Sequence, residues 1–167
     1  LWEAMTLGLA DDGNGSVAEE AYAAIEETAR RCAVAAVGPG LGTGEGAAAI
    51  VVAFIERFHG PLVLDADALN VIAGRESATR AFDARAAGGL GPVVLTPHPG
   101  EMGRLLGTTA AAGQADRVGA MRGGLRRYRG ATIVLKGAAT LVGGNAELRF
   151  NTSGNPGMAS PGMGDVL

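Results

Sequence analysis

Apolar and polar positions fall into blocks whose periods alternate along the chain. Residues 17 to 31, VAEEAYAAIEETARR, set Val17, Tyr22, Ile25 and Ala29 near helical spacing and predict an amphipathic helix. CAVAAVG is a short apolar run that predicts a buried strand, and GPGLGTGEG breaks it before the helical pattern of AAAIVVAFIERF. PLVLDAD predicts a second strand and ALNVIAG a short helix stopped by Gly74. Residues 75 to 91 are the most loop-like stretch, with a helix as the alternative for ATRAFDARAA. PVVLTPHPG predicts a third strand and turn, EMGRLLG the start of a helix, and QADRVGAMRGGLRRYRG one helix weakened by Gly123 and Gly124. ATIVLKG is the fourth strand, and ATLVGG pairs with AELRF as a hairpin turning at GGN.

Strand and helix thus alternate about every 30 residues, the rhythm of parallel α/β units. No internal repeat, linker or heptad interrupts it. A length of 167 residues suits one domain with a real core.

Composition adjusts this picture only in places. Hydrophobic residues make up 47% and charged residues 19%, a globular profile. The 28 glycines gather between the apolar runs, so their positions carry information. A net charge of −3 with no dense basic stripe argues against nucleic acid as a partner, and the RRYR run at 126–129 reads as a helix end on a solvated face. The single Cys32 cannot form an internal disulfide and is expected to be an inert buried thiol, consistent with a reducing compartment. No apolar run approaches the roughly 20 residues of a membrane span, and no secretory signal opens the chain. The first residue is not Met, so a truncated amino end is expected.

Each apolar strand runs at once into Gly, Pro or a polar group. AVAAV meets Gly38-Pro39-Gly40-Leu41-Gly42; LVL meets Asp65-Ala66-Asp67 and then Asn70. VVL meets Thr96-Pro97-His98-Pro99-Gly100-Glu101; TIVL meets Lys136-Gly137-Ala138-Ala139-Thr140. In an open parallel sheet, ligands bind beyond the carboxyl ends of the strands, so four such loops would build one crevice. Each residue also has a plainer role. The glycines can simply turn the chain, and Asp67 can simply cap a helix. Glu101 is expected to complement a helix amino end. His98, between two prolines in a turn, is placed to contact a ligand, and Lys136, directly after a strand, is placed to reach an anion.

Several signatures are absent. There is no P-loop, no dinucleotide fingerprint over residues 38 to 46, and no G-x-S-x-G elbow. One Cys and two His, His59 and His98, support no zinc site, and no metal-ligating set is read from the sequence.

The chain ends in FNTSGNPGMASPGMGDVL, residues 150 to 167. A helix starting near Gly164 would aim free N–H groups at a phosphate. Asp165 beside it would take a proton from a hydroxyl as a phosphoryl group moves to that hydroxyl. The alternative is a helix capped by Asp after a flexible linker.

GPGLG, VLDADALN, LTPHPGE, VLKGAAT and NTSGNPGMA…GDVL, in that order from about Cys32 to Leu167, resemble the ADP-dependent NAD(P)H-hydrate dehydratases of the ribokinase-like superfamily. The resemblance implies a single, incomplete ribokinase-like domain, α/β in class, with three α/β/α layers and a mostly parallel central sheet. It implies dehydration of the S-epimer of hydrated NADH or NADPH with ADP, or ATP in eukaryotes, and Mg²⁺, giving AMP and phosphate. Gly40, His98 and Asp165 would contact the hydrated dinucleotide, with Asp165 the catalytic base. Lys136, Gly137, Ala138, Ala139, Thr140 and Gly164 would hold the adenine nucleotide, and Asn155 would help shape the phosphate loop. A cytoplasmic homo-oligomer, a tetramer, is implied as well. Where the family reads close to ATGGTGD or ATGGSGD, this chain has Pro161 for a glycine, which removes an N–H, and Met163 for a hydroxyl residue. The rival readings are a ribokinase-like small-molecule kinase acting on a vitamin precursor or sugar hydroxyl, and a non-catalytic nucleotide-binding fragment.

Overall fold

The computed structural model describes residues 5–144 and 147–154. Four short parallel strands lie in chain order: β1 (Ala35–Val37), β2 (Leu62–Leu64), β3 (Val93–Leu95) and β4 (Ala131–Leu135). Two antiparallel strands, β5 (Leu141–Gly144) and β6 (Glu147–Phe150), extend the sheet beyond β4. Parallel neighbours need long crossovers. These are α2 (Glu45–Arg57) after β1, α3 (Asp67–Ile72) and α4 (Glu76–Ala87) after β2, and α5 (Pro99–Leu106), α6 (Ala110–Ala115) and α7 (Arg117–Arg127) after β3. A short 3₁₀ turn and α1 (Tyr22–Ala29) precede β1.

Burial explains the strand sequences. Leu62, Leu64, Val93, Leu95, Ala131, Ile133, Leu135 and Leu141 are buried on one face, where Ile50, Ile55, Leu69, Phe82, Met102 and Met121 from the helices meet them. The alternate residues Val63, Val94, Thr132, Val134 and Val142 are half-buried. The mostly parallel α/β architecture is therefore the predicted one, and the predicted hairpin is present as β5 and β6.

Four expectations need correction. First, β1 is an edge strand with Ala36 exposed, not a buried one, because it pairs on one side only. Second, Cys32 is exposed; it lies in the turn after α1, with Sγ 3.5 Å from the Thr28 carbonyl, rather than within the strand. Third, the helix read over QADRVGAMRGGLRRYRG is interrupted at Asp116. The Asp116 carboxylate accepts the Gly119 N–H at 2.7 Å and starts a new helix, α7. Fourth, residues 76–87 form a helix rather than a loop, as the alternative read for ATRAFDARAA had it, because Ala78, Ala81, Phe82 and Arg85 supply a buried stripe. The arginine-rich end of α7 is solvated at Arg126 and Arg129, but Tyr128 between them is fully buried, edge-on to Phe82 at 5.2 Å.

Arg85 is buried with no carboxylate among its partners. Its guanidinium donates to the carbonyls of Gly91 (2.9 Å), Ile55 (2.9 Å), Phe58 (2.7 Å) and Gly60 (2.7 Å), and so pins the end of α2 to the segments leading into β2 and β3. Desolvation by burial lowers its pKa, the expected direction for a cation withdrawn from water. Among the described residues, no helix is long and apolar enough to cross a membrane.

Candidate active site

The loops after β1, β2, β3 and β4 share one rim, as parallel pairing requires, and they touch. Gly38 has a φ of +134°, and a Cβ there would collide with the Asp65 carbonyl oxygen, so only glycine lets the first loop lie against the second. The Gly42 N–H donates to the Asp67 carboxylate at 2.9 Å. Asp67 thus opens α3 without capping it and instead ties down the glycine-rich loop. The Lys136 N–H donates to the Pro97 carbonyl at 2.8 Å, joining the third and fourth loops.

Asp65 is the first residue beyond β2, and Lys136 the first beyond β4. Lys136 Nζ lies 2.9 Å from Asp65 Oδ1 and 4.0 Å from Glu101 Oε2, which sets one ammonium between two carboxylates. Burial works to raise the Asp65 pKa, but hydrogen bonds led by the one from Lys136, together with the Lys136 charge, outweigh it and hold the carboxyl below its usual value. Ala66, between Asp65 and Asp67, has φ +49° and ψ −118°, a strained geometry for a residue with a Cβ. That bend aims Asp65 at Lys136 and Asp67 at Gly42.

His98 and Glu101 form a reciprocal cap at the start of α5. The His98 imidazole Nδ1 accepts the N–H groups of Gly100 (2.9 Å) and Glu101 (3.3 Å), while Glu101 Oε2 accepts the His98 N–H at 2.8 Å. An Nδ1 that accepts leaves the proton of the neutral ring on Nε2, which lies 3.4 Å from Glu101 Oε1. Glu101 therefore does complement the helix end, as expected, and also faces His98 and Lys136.

The structure brings Lys136, Glu101 and His98 together with Asp65. Gly40 stands exposed at the tip of the first loop, and Gly137–Thr140 curve beyond Lys136. A hollow of about 330 Å³ opens beside that curve, between Arg117, Ala138, Ala139, Leu141 and Phe150. Larger hollows lie elsewhere: one of about 530 Å³ runs along the exposed β1 edge and one of about 410 Å³ sits between α1 and α2. Gly164, Asp165, Asn155, Pro161 and Met163 lie outside the described residues. Sequence reasoning named Asp65 within the second loop but weighed a role of its own only for Asp67. The available signal was position, since Asp65, like Lys136, is the first polar residue after an apolar strand.

The NAD(P)H-hydrate dehydratase family profile matches residues 6–167. The chain belongs to that family. Relatives of this chain include the bifunctional NAD(P)H-hydrate repair enzyme Nnr of Moorella thermoacetica, 41% identical over 99% of this chain and 30% of that protein. The ADP-dependent (S)-NAD(P)H-hydrate dehydratase of Neisseria meningitidis is 47% identical over 78% of this chain and 43% of that protein. The chain thus spans less than half the length of these relatives. A crystal structure of the ADP/ATP-dependent NAD(P)H-hydrate dehydratase from Bacillus subtilis, co-crystallized with ATP/Mg²⁺, superposes with a TM-score of 0.63 at 30% identity, covering 80% of this chain and 43% of that one. A ribokinase-like superfamily protein from Enterococcus faecalis does so at 0.64 and 28%, covering 89% and 49%. The fold is thus the ribokinase-like α/β/α class expected from the motifs.

Proposed function

We propose that the full-length protein dehydrates the S-epimer of hydrated NADH or NADPH at the expense of ADP. The hydroxide of the hydrate is a poor leaving group. Transfer of the β-phosphoryl group of ADP to it leaves AMP and makes a phosphate ester. Departure of phosphate with a proton from the adjacent ring carbon then restores the double bond.

The observation that carries this reading is the state of residues 137–140. Among the described residues, no acceptor meets the N–H groups of Gly137, Ala138, Ala139 or Thr140, and Lys136 stands at the head of the loop. Consecutive unpaired amides beside a lysine suit a phosphate chain. Leu141 and Phe150 give the neighbouring hollow an apolar wall for the base. A nucleoside diphosphate offers more anionic oxygens than the single carboxylate of Asp65, enough to draw Nζ towards it. His98 Nε2–H and the exposed backbone of Gly40 face the same rim for the hydrated substrate. By resemblance, Gly164 lies at the phosphates and Asp165 takes the hydroxyl proton.

Mg²⁺ commonly binds one or two carboxylates plus phosphate oxygens. Asp65 and Glu101 fit that need, since they already hold a cation, the Lys136 ammonium, between them. The ion would neutralise charge on the transferring phosphoryl group. The same reading makes the protein a cytoplasmic homo-oligomer, tetrameric by family resemblance.

The test is incubation of the full-length protein with hydrated NADH, Mg²⁺ and ADP or ATP. Recovery of NADH absorbance with AMP release from ADP supports the proposal. A stable phosphorylated product points to a kinase, and nucleotide binding without any product to a non-catalytic module; either result defeats it.

A further inference from the structure

We propose that Arg117 is a positioning residue for the loop at 136–140, holding its peptide groups so that their N–H sides are presented to the phosphates of the nucleotide. This inference rests on the nucleotide reading of that loop given above.

Arg117 occupies the first turn of α7, where a cation opposes the helix dipole. A residue that breaks a local rule calls for a gain elsewhere. Here the gain is made across the gap to β4. The guanidinium donates to the Leu135 carbonyl at 3.1 Å, to the Lys136 carbonyl at 3.4 and 3.5 Å, and to the Ala139 carbonyl at 3.4 Å. Gln114 Oε1 accepts from it at 3.0 Å and steadies its plane. Both limbs of the loop are therefore gripped by one planar fork, a geometry that Lys cannot reproduce.

The loop is shaped to receive that grip. Gly137 has a φ of +130°, and a Cβ there would stand 3.0 Å from Arg117 Nη1, so any side chain would crowd the fork. Ala139 adopts φ +52°, a conformation that disfavours a residue with a Cβ, and its carbonyl is one of those Arg117 holds. The Gly137 carbonyl accepts the Thr140 hydroxyl at 3.0 Å, and the Thr140 carbonyl accepts the Asn151 N–H at 2.8 Å. The carbonyls of 135, 136, 137, 139 and 140 are thus engaged on the protein side, while the amides of 137 to 140 have no acceptor among the described residues. Without the fork, the peptide planes at 136 and 139 lose their restraint, and a carbonyl turned outward would repel phosphate. The permanent charge of Arg117 adds attraction for the anion close behind the loop.

The experiment compares full-length wild type, R117A and R117K by steady-state kinetics in both substrates and by hydrogen–deuterium exchange over residues 135–141. R117A is expected to raise KM for ADP about tenfold or more while KM for hydrated NADH stays within about twofold. It is also expected to speed exchange of the Lys136 amide, which the Pro97 carbonyl holds at the head of the loop, and to be partly rescued by added guanidinium ion but not by ammonium. R117K recovers little. An unchanged KM for ADP overturns the proposal, and so does an equal rise in both KM values with no rescue, which marks a merely structural arginine. A wild type that takes no ADP sinks the functional reading by itself. Arg117 is then judged on exchange in the nucleotide-free protein, where an unchanged Lys136 amide in R117A overturns its role.

Discussion

The two ends of the sheet each hold a cation, by opposite means. At the amino end, Arg85 is sealed among the carbonyls of Ile55, Phe58, Gly60 and Gly91. At the carboxyl end, Lys136 keeps about a third of its side chain in water and meets the carboxylates of Asp65 and Glu101. Carbonyl dipoles around a buried guanidinium leave it no other stable position. A half-open ammonium between carboxylates can exchange one anion for another. The first arrangement fixes segments in place; the second leaves a cation that a ligand can claim.

The contrast breaks most visibly at Arg85. Arg85→Met should destabilise the full-length protein by about 3 kcal/mol or more, since several buried carbonyls lose their donor at about 1–3 kcal/mol each. Chemical unfolding measures it, and a loss below about 1 kcal/mol would place Arg85 among ordinary surface cations. Lys136→Ala should do the reverse. It should lower kcat/KM for ADP by about a hundredfold, because under the proposed function the lysine meets a phosphoryl group where charge develops. Stability should change by less than about 1 kcal/mol, the usual worth of a half-exposed pair. A stability loss without a kinetic one would erase the distinction between the two ends.

A subtler probe is Ala66→Gly. Strain at φ +49°, ψ −118° costs about 1–3 kcal/mol, and the added unfolded-state freedom of glycine costs about 0.5–1 kcal/mol, so a net gain near 1 kcal/mol in unfolding free energy is expected. No gain would mean that the carboxyl rim stores no strain.

The smallest effect is the pH dependence of the Asp65–Lys136 pair. The Asp65 pKa is lowered on folding, so its stabilising contribution is present above the unfolded value of about 3.9 and is lost as pH falls through the folded value. Wild type should exceed Asp65→Asn in unfolding midpoint near neutrality, and the gap should close in acid. A gap that widens in acid contradicts the sign.

Much of this architecture was legible because it is written locally. The apolar triplets of β2 and β3 and the run of β4, each followed at once by Asp65, Thr96 or Lys136, announce strands and the polar loops at their carboxyl ends together. Most of the misreadings share a cause, which is dependence on distant partners. CAVAAVG has the composition of a buried strand, but whether Ala36 is covered depends on neighbours that local sequence does not specify. Asp116 is the exception: its carboxylate caps a new helix through Gly119 only three residues on, a local signal hidden inside an otherwise helical pattern. Arg117 reads as one more surface cation, because the carbonyls it holds lie 18 to 22 residues away. His98 was legible as a site candidate by its place between prolines, yet its capping of α5 emerged only from geometry.

The hairpin that closes the sheet has a consequence of parity. β5 reverses the direction of β4 and β6 reverses it again, so the chain leaves β6 heading the same way as the parallel strands. It reaches Asn151 within one hydrogen bond of Thr140. Two reversals cancel, and the polypeptide returns to the rim that carries the four loops without another crossover helix.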